Sequence, residues 1–90
     1  MTHYLRGNVW AVDVKDYKDP FTLGTYIKQD TRPRDQEYLI WNEWFYVYPT
    51  YREWQRPDYG ACVRSAAEGL PSNITILSED QFKKRVLARS

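Results

Sequence analysis

Histidine and cysteine are nearly missing from this 90-residue chain, which contains only His3 and Cys62. A single cysteine cannot form an internal disulfide, and metal sites with soft ligands need several Cys or His side chains. A cysteine on the inner face of a helix behaves mostly as a small hydrophobic residue. The sequence therefore predicts no disulfide framework, no metal site and no Cys–His catalytic pair.

Glycine-rich loops and long hydrophobic runs are also missing. The four glycines are scattered along the chain, so no loop has the pattern that cradles nucleotide phosphates. The longest apolar run, residues 44–48, is too short to cross a bilayer, and residues 1–6 lack the apolar part of a signal peptide. We expect no cofactor, no membrane contact and a cytoplasmic location.

Charge of one sign is not in excess. The chain contains thirteen Lys and Arg residues and twelve Asp and Glu residues, which gives a formal net charge of +1. Such a balance produces no strong field, so diffuse attraction to nucleic acid or anionic lipid is not expected. Hydrophobic residues make up 42% of the chain and charged residues 28%, values typical of a globular protein. Residues 1–90 are predicted to form a single domain.

The first half of the chain has the alternation typical of β-strands. Residues 9–14 are predicted to form a strand with Trp10 and Val12 on one face and Asp13 on the other. Residues 21–29 are predicted to form a second strand. Residues 37–48 are interpreted as a β-hairpin whose turn is at residues 42–43.

The second half of the chain carries helix signals. Thr50 with Glu53 has the form of a capping box, which predicts a short helix that ends at Pro57. Asp58 is then predicted to cap a helix that extends to about Glu68.

The C-terminal part combines one more strand with a last helix. Residues 74–77 are predicted to form a short buried strand. Ser78 and Gln81 form a second capping-box pattern, and Phe82 and Val86 are predicted to form the inner stripe of the helix that follows. The order β-β-β-β-α-α-β-α predicts an α+β fold. We expect a small antiparallel sheet of four to five strands, with two to three helices mainly on one face.

Aromatic residues are what this chain has in abundance. It contains fifteen, and nine of them fall between residues 38 and 59: Tyr38, Trp41, Trp44, Phe45, Tyr46, Tyr48, Tyr51, Trp54 and Tyr59. Protein interfaces are enriched in Trp, Tyr and Arg at their energetic centre. The alternative interpretation is that helices cover these side chains and that they form an ordinary core.

The sequence favours a small non-catalytic protein-binding module that docks on a larger protein. An inhibitor or modulator of a host enzyme or of a nucleic-acid-processing complex would suit this design. The size and the lack of catalytic parts are typical of small accessory proteins of phages and mobile elements, although no motif carries that likeness. The predicted protein-binding residues are Trp41, Trp44, Tyr46, Tyr48, Tyr51, Arg52, Trp54 and Arg56.

Two further partners are considered. In the main alternative the same aromatic face stacks the bases of single-stranded nucleic acid, with the site residues Arg32, Arg34, Trp44, Tyr46, Arg52 and Arg56. Acidic residues in the same part of the chain weigh against it, because affinity for nucleic acid depends on phosphate neutralisation. Self-association into a homodimer through the hairpin is the other alternative.

Enzymatic activity is the hypothesis with the least support from the sequence. The segment Asp13-Val14-Lys15 is a fragment of the arrangement that a metal-dependent nuclease needs, with a carboxylate and a lysine at adjoining strand positions. That fragment alone is a weak signal. We therefore predict that the chain is not an enzyme, with Asp13 as the first residue to suspect if it is one.

Overall fold

A four-stranded sheet with helices on both faces organises the chain. The computed structural model describes residues 2–5, 8–34 and 43–89. No helix in these ranges is long and apolar enough to cross a membrane. The elements are β1 (Thr2–Leu5), β2 (Asn8–Val14), α1 (Pro20–Gln29), a 3₁₀ turn (Arg32–Arg34), β3 (Glu43–Tyr48), α2 (Tyr51–Gln55), α3 (Tyr59–Ala66), β4 (Ile74–Ser78) and α4 (Glu79–Arg89).

The strand order in the sheet is β1-β2-β3-β4. β1 and β2 pair antiparallel. β2 pairs parallel with β3, with Val12 opposite Phe45, and β3 pairs parallel with β4, with Tyr46 opposite Ile76. Parallel neighbours need a crossover connection. Helix α1 supplies the first crossover, and α2 with α3 supplies the second.

The predicted antiparallel sheet with helices mainly on one face is wrong. Three of the four strands run parallel, and the described chain contains four α-helices that cover both sheet faces. The error follows from the segment between β2 and β3, which was interpreted as another strand. A helix there returns the chain to the starting edge of the sheet, so the next strand must run parallel.

Helix α1 replaces the strand that was predicted at residues 21–29. Its first turn is fixed by Asp19, whose carboxylate accepts a hydrogen bond of 3.1 Å from the Phe21 backbone N–H, and by Pro20 at the start of the helix. Both residues favour helix initiation. The buried residues Pro20, Leu23, Gly24 and Ile27 recur at the spacing of one helical face rather than at that of a strand.

The predicted hairpin at residues 37–48 lies only partly within the described residues. Residues 37–41, its first strand, lie outside the described residues. Its second strand corresponds to β3 (Glu43–Tyr48), but β3 pairs with β2 on one side and β4 on the other. The predicted hairpin pairing of β3 is therefore wrong, because β2 and β4 occupy both hydrogen-bonding edges of β3.

Several local predictions are confirmed. β2 and β4 form where alternation and the short apolar run predict them. At the start of α4 the Ser78 hydroxyl accepts from the Gln81 backbone N–H at 3.2 Å, and the Gln81 side chain accepts from the Ser78 backbone N–H at 3.1 Å. This is the predicted reciprocal capping box. Gly69 adopts a φ of 85° after α3, a conformation that favours glycine.

Two apolar layers lie on opposite faces of the sheet. The layer under α4 contains Trp10, Val12, Phe45, Val47 and Leu77, packed against Phe82 and Val86. The other layer lies under α1 and α3, whose close approach depends on Gly24, because a Cβ there would lie 2.4 Å from the Ala66 Cβ. Its buried members are Ala11, Leu23, Ile27, Trp44, Tyr46, Tyr48, Tyr59, Val63, Ala67, Ile74 and Ile76.

Candidate functional site

A carboxylate and a lysine lie together at the end of β2. Successive side chains of a strand alternate between its faces, so Asp13 lies on the same sheet face as Ala11, which is the face covered by α1. Lys15 continues the pairing beyond β2, since its backbone N–H donates to the Val47 carbonyl at 2.9 Å. Its ammonium nitrogen lies 3.4 Å from Asp13 Oδ1. The two charged groups therefore form a pair at the carboxyl end of a parallel strand.

The segment after α1 brings a second carboxylate and an arginine to this pair. Arg32 Nη2 lies 2.5 Å from Asp13 Oδ2 and 2.8 Å from Asp30 Oδ2. Arg32 Nε donates to Asp30 Oδ1 at 3.0 Å, and the Arg32 backbone N–H donates to the same oxygen at 3.1 Å. One guanidinium therefore joins two carboxylates that belong to different elements.

Two tyrosine hydroxyls complete this arrangement. The Tyr26 hydroxyl donates to Asp13 Oδ2 at 3.0 Å, and the Tyr46 hydroxyl donates to Asp30 Oδ2 at 2.7 Å. Tyr26 comes from α1 and Tyr46 from β3, so the network ties the helix, the sheet and the segment after α1 together. We call this cluster the Asp13–Arg32 network; its members are Asp13, Lys15, Tyr26, Asp30, Arg32 and Tyr46.

The environment of the network fixes its protonation states. Burial alone would raise the pKa of Asp30, but hydrogen bonds from Arg32 and Tyr46 outweigh burial and hold that pKa below its usual value. Burial would lower the pKa of Lys15, but the charge of Asp13 raises it on balance. Burial, followed by the hydrogen bond to Asp30, raises the pKa of Tyr46. At neutral pH the network therefore contains an ionised Asp30, a charged Lys15 and a neutral Tyr46.

Each carboxylate oxygen of Asp13 and Asp30 contacts at least one protein donor. Asp13 Oδ1 faces Lys15, and Asp13 Oδ2 accepts from Tyr26 and Arg32. Both oxygens of Asp30 accept from Arg32, and Oδ2 also accepts from Tyr46. Within residues 2–5, 8–34 and 43–89, no group of three or more His, Cys, Asp or Glu side chains is placed to hold a metal ion.

The predicted aromatic site divides into a buried part and an exposed part. Trp44, Tyr46 and Tyr48 lie on β3 and are 4%, 1% and 1% exposed. Their neighbours are α1 and α3, as the core interpretation expected. Trp41 lies outside the described residues. The part of the predicted site that reaches the surface is therefore on α2.

Helix α2 presents a tryptophan between two arginines. Trp54 is 78% exposed. Arg52 Nε donates to Asp16 Oδ1 at 2.7 Å, and the Tyr51 hydroxyl donates to the same carboxylate. These bonds attach the helix to the loop after β2, and the Tyr51 bond is the leading cause of the lowered pKa of Asp16. We call the set Tyr51, Arg52, Trp54 and Arg56 the α2 surface; Tyr51, Trp54 and Arg56 are exposed, whereas the Arg52 side chain is only 15% exposed.

The residues predicted to bind nucleic acid fall into separate places. Arg32 belongs to the Asp13–Arg32 network, whereas Arg52 and Arg56 belong to the α2 surface. Arg34 lies in the 3₁₀ turn. Trp44 and Tyr46 are core residues, so neither offers a free ring for base stacking in the chain as described. The structure thus brings Arg32 together with Asp13 and Lys15, a grouping that the sequence did not predict.

Asp30 and Tyr26 are the members of the network that sequence reasoning missed. The sequence predicts a hydrophilic loop at Asp30 and a strand at Tyr26. One local signal was available, since Asp19-Pro20 marks a helix start and would have placed Asp30 at the end of that helix. The contact between Asp30 and Arg32 is local, but the contact with Asp13 needs the tertiary fold.

Cys62 is partly exposed on α3 rather than on its inner face. Its thiol donates to Asp58 Oδ2 at 3.4 Å. Burial, followed by this hydrogen bond and the charge of Asp58, raises the pKa of the Cys62 thiol. A raised pKa is the opposite of what an activated nucleophile needs.

Comparison with protein families adds a relationship that no motif revealed. Residues 3–90 match the family pPIWI_RE_REase, which is described as "REase associating with pPIWI_RE". The match covers the Asp13–Arg32 network, the α2 surface and every residue except the first two. The chain belongs to this family. No curated protein and no solved structure matches this chain.

Proposed function

We propose that this chain is the restriction-endonuclease-type component of a two-protein system, in which it hydrolyses nucleic-acid phosphodiester bonds. REase abbreviates restriction endonuclease, and the family description joins it to pPIWI_RE. The observation that carries the catalytic part is the pair Asp13 and Lys15, whose charged groups lie 3.4 Å apart at the end of a parallel strand. Ligands of open α/β sheets bind outside the carboxyl ends of such strands.

Each group of the pair suits a step of phosphodiester hydrolysis. A lysine ammonium is a positioned cation for the phosphate oxygens, on which negative charge grows during the attack. A carboxylate such as Asp13 accepts a proton of the attacking water as the new P–O bond forms. The P–O bond to the leaving sugar oxygen then breaks, and that oxygen takes a proton from solvent. Arg32, whose side chain is 44% exposed, adds a second cation beside the same carboxylate. The three residues therefore combine phosphate binding with a proton acceptor.

Nucleases commonly employ divalent cations held by carboxylates. All four oxygens of Asp13 and Asp30 are engaged by Lys15, Tyr26, Arg32 and Tyr46. The described residues do not fit a divalent cation between these two carboxylates while Arg32 is in place. No step of the proposed reaction is therefore assigned to a metal.

Two sequence predictions compete with this proposal. The prediction that the chain is not an enzyme stays a prediction, and the description of the family as an REase favours the opposite. The narrower prediction of an inhibitor of a host enzyme also stays a prediction. The coarser expectation, a small module that works with another protein, is supported by the word "associating" in the family description.

The test of hydrolysis uses the chain alone and together with the pPIWI_RE protein. Plasmid DNA and single-stranded DNA are incubated with each preparation in the presence of Mg²⁺, and cleavage is followed on gels. We expect cleavage, with rates reduced roughly 100-fold or more in Asp13→Asn and Lys15→Gln, the scale of a lost acid–base group. Lys18→Gln, an exposed lysine in the same loop region, is the matched control and should cleave normally.

Cleavage that survives both substitutions would remove the Asp13–Arg32 network from the proposal. No cleavage by the complex on either form of DNA, with both proteins folded, would return the chain to the non-catalytic class. Single-stranded binding without cleavage, weakened steeply by salt, would support the alternative nucleic-acid-binding prediction.

The α2 surface is the proposed contact with the pPIWI_RE protein. Trp54 is 78% exposed between two arginines, and exposed Trp with neighbouring Arg is typical of the energetic centre of an interface. Trp44 is a core residue, so its substitution would also disturb the fold. The single substitution Trp54→Ala changes the surface alone.

The docking test compares Trp54→Ala with Leu87→Ala, an exposed apolar side chain on α4 that is 73% exposed. We expect Trp54→Ala to weaken binding to the pPIWI_RE protein by about 30-fold or more, as an interface centre residue does. Leu87→Ala should bind like the wild type. Equal binding by all three chains would exclude the α2 surface as the contact.

A further inference from the structure

The position of Arg32 between two acids is the feature that the proposed hydrolysis leaves unexplained. A single nitrogen, Nη2, contacts Asp13 Oδ2 at 2.5 Å, Asp30 Oδ2 at 2.8 Å and the Tyr26 hydroxyl at 2.9 Å. The side chains of Asp13 and Asp30 are only 11% and 6% exposed. Two nearly buried carboxylates thus share one cationic centre.

Two carboxylates brought together out of water need a cation, because each charge is costly to bury alone. A guanidinium meets this need with fixed hydrogen bonds. A divalent ion with oxygen ligands would meet it as well. The two solutions exclude each other here, since the oxygens that would face the ion are the ones that Arg32 contacts.

Arg32 also reaches the solvent. Its side chain is 44% exposed, and its guanidinium carbon lies 5.4 Å from the centre of the Trp44 ring. Guanidinium groups bind phosphates in a bidentate manner. A phosphodiester that approaches from solvent therefore competes with Asp13 and Asp30 for the same donors.

We infer that Arg32 is a built-in counter-cation that keeps divalent cations off Asp13 and Asp30 until a phosphate draws its guanidinium away. The part that concerns the phosphate rests on the proposed function, whereas the exclusion of the cation rests on the contacts of Arg32 alone. The chain without substrate is thereby held in a state that does not load a metal ion at this pair of acids.

The experiment measures Mn²⁺ binding by electron paramagnetic resonance, with no nucleic acid and no cleavage readout. The wild-type chain should bind no Mn²⁺ at Asp13, so Asp13→Asn should leave its Mn²⁺ binding unchanged. Arg32→Gln should bind one Mn²⁺ at about a tenth or less of the Mn²⁺ concentration at which the wild type first shows any binding. Arg32→Lys, which restores a cation, should behave like the wild type, and Arg32→Gln combined with Asp13→Asn should lose the site.

Two results would overturn the inference. One is a wild-type chain that already binds Mn²⁺ through Asp13. The other is a folded Arg32→Gln chain that binds none. If Arg32→Gln does not fold, the test uses the Arg32 Nε–H signal of the wild-type chain in ¹⁵N nuclear magnetic resonance. Selective broadening of this signal at low Mn²⁺ would place the ion beside Arg32 and overturn the inference. A chain that shows the expected binding but does not cleave DNA with its partner would contradict only the proposed hydrolysis.

Discussion

The aromatic stretch of this chain contains two neighbouring segments of similar composition but opposite solvent exposure. On β3, Trp44 is 4% exposed and Tyr46 is 1% exposed; a few positions further on, on α2, Tyr51 is 37% exposed and Trp54 is 78% exposed. Both segments combine tryptophan with tyrosine. Composition therefore does not separate core aromatics from surface aromatics here.

The difference between the two segments lies in their neighbours. β3 is an inner strand with β2 and β4 on its two edges, and helices cover both of its faces. Buried inner strands of parallel sheets consist of continuous apolar residues for this reason. α2 has five residues, none of them buried. It is attached mainly by the bonds of Tyr51 and Arg52 to Asp16.

The sharpest test of this comparison is Phe45→Ala. Phe45 is 0% exposed and packs edge-on against Trp10 and Phe82, with ring centres 5.7 and 5.3 Å away. Its removal should lower the free energy of unfolding by about 3–5 kcal/mol, because the cavity cannot collapse fully. Urea unfolding followed by circular dichroism measures the change. A loss below about 1 kcal/mol would contradict a rigid β3 core.

A smaller effect is expected at Tyr46→Phe, which keeps the β3 core and removes one hydroxyl. The Tyr46 hydroxyl donates to Asp30 at 2.7 Å, and a hydrogen bond to a charged group contributes roughly 1.5–3 kcal/mol. Urea unfolding at pH 7 gives the magnitude. A neutral outcome would show that the buried half of the stretch does not support the Asp13–Arg32 network.

The same contact predicts a pH dependence. Burial raises the pKa of Asp30, but Arg32 and Tyr46 hold it below the usual 3.8 in the folded chain. The stabilisation is therefore fully present above the unfolded pKa and is lost as the pH falls through the folded one. Asp30→Asn should flatten this acid limb in thermal unfolding between pH 6 and pH 3, whereas Asp58→Asn, on the exposed loop before α3, retains the Asp30 contribution.

The smallest effect on stability is expected at Trp54→Ala. An exposed side chain away from the core changes the free energy of unfolding by no more than about 0.5 kcal/mol. Urea unfolding beside Phe45→Ala gives the direct contrast. A loss of 2 kcal/mol or more (roughly the scale of burying a large apolar side chain) would place Trp54 in the core and break the comparison.

Local signals in the sequence were sufficient for several elements. β2 follows from alternation, β4 from a short apolar run, and the start of α4 from Ser78 and Gln81, because each of these depends on residues close together in the chain. α1 was missed although Asp19-Pro20 marks its start. The strand predicted at residues 21–29 rests on Phe21, Leu23 and Ile27 as one face, and a strand in place of the helix found there also leads to the wrong sheet.

The candidate site was predictable only in fragments. Asp13 and Lys15 were recognised as a fragment of a nuclease arrangement, and Arg32 was selected for another reason. Their meeting depends on α1, which brings the segment after it back over β2. No pattern in the sequence joins residues 13 and 32, which are 19 positions apart.

The sequence by itself determined the Ser78–Gln81 cap of α4, the alternation of β2, the balanced charge and the concentration of aromatic residues, since all of these are properties of neighbouring positions. The caps predicted at Thr50 and Asp58 make no side-chain capping hydrogen bond to their helices. The tertiary structure alone decided which strands run parallel, which aromatic side chains are buried and which acids share Arg32. These outcomes depend on the path of the crossover helices. A helix between two strands returns the chain to the end of the sheet where the first strand began, so the next strand runs parallel to it. The side chains of the two strands then meet residues that are distant in the sequence.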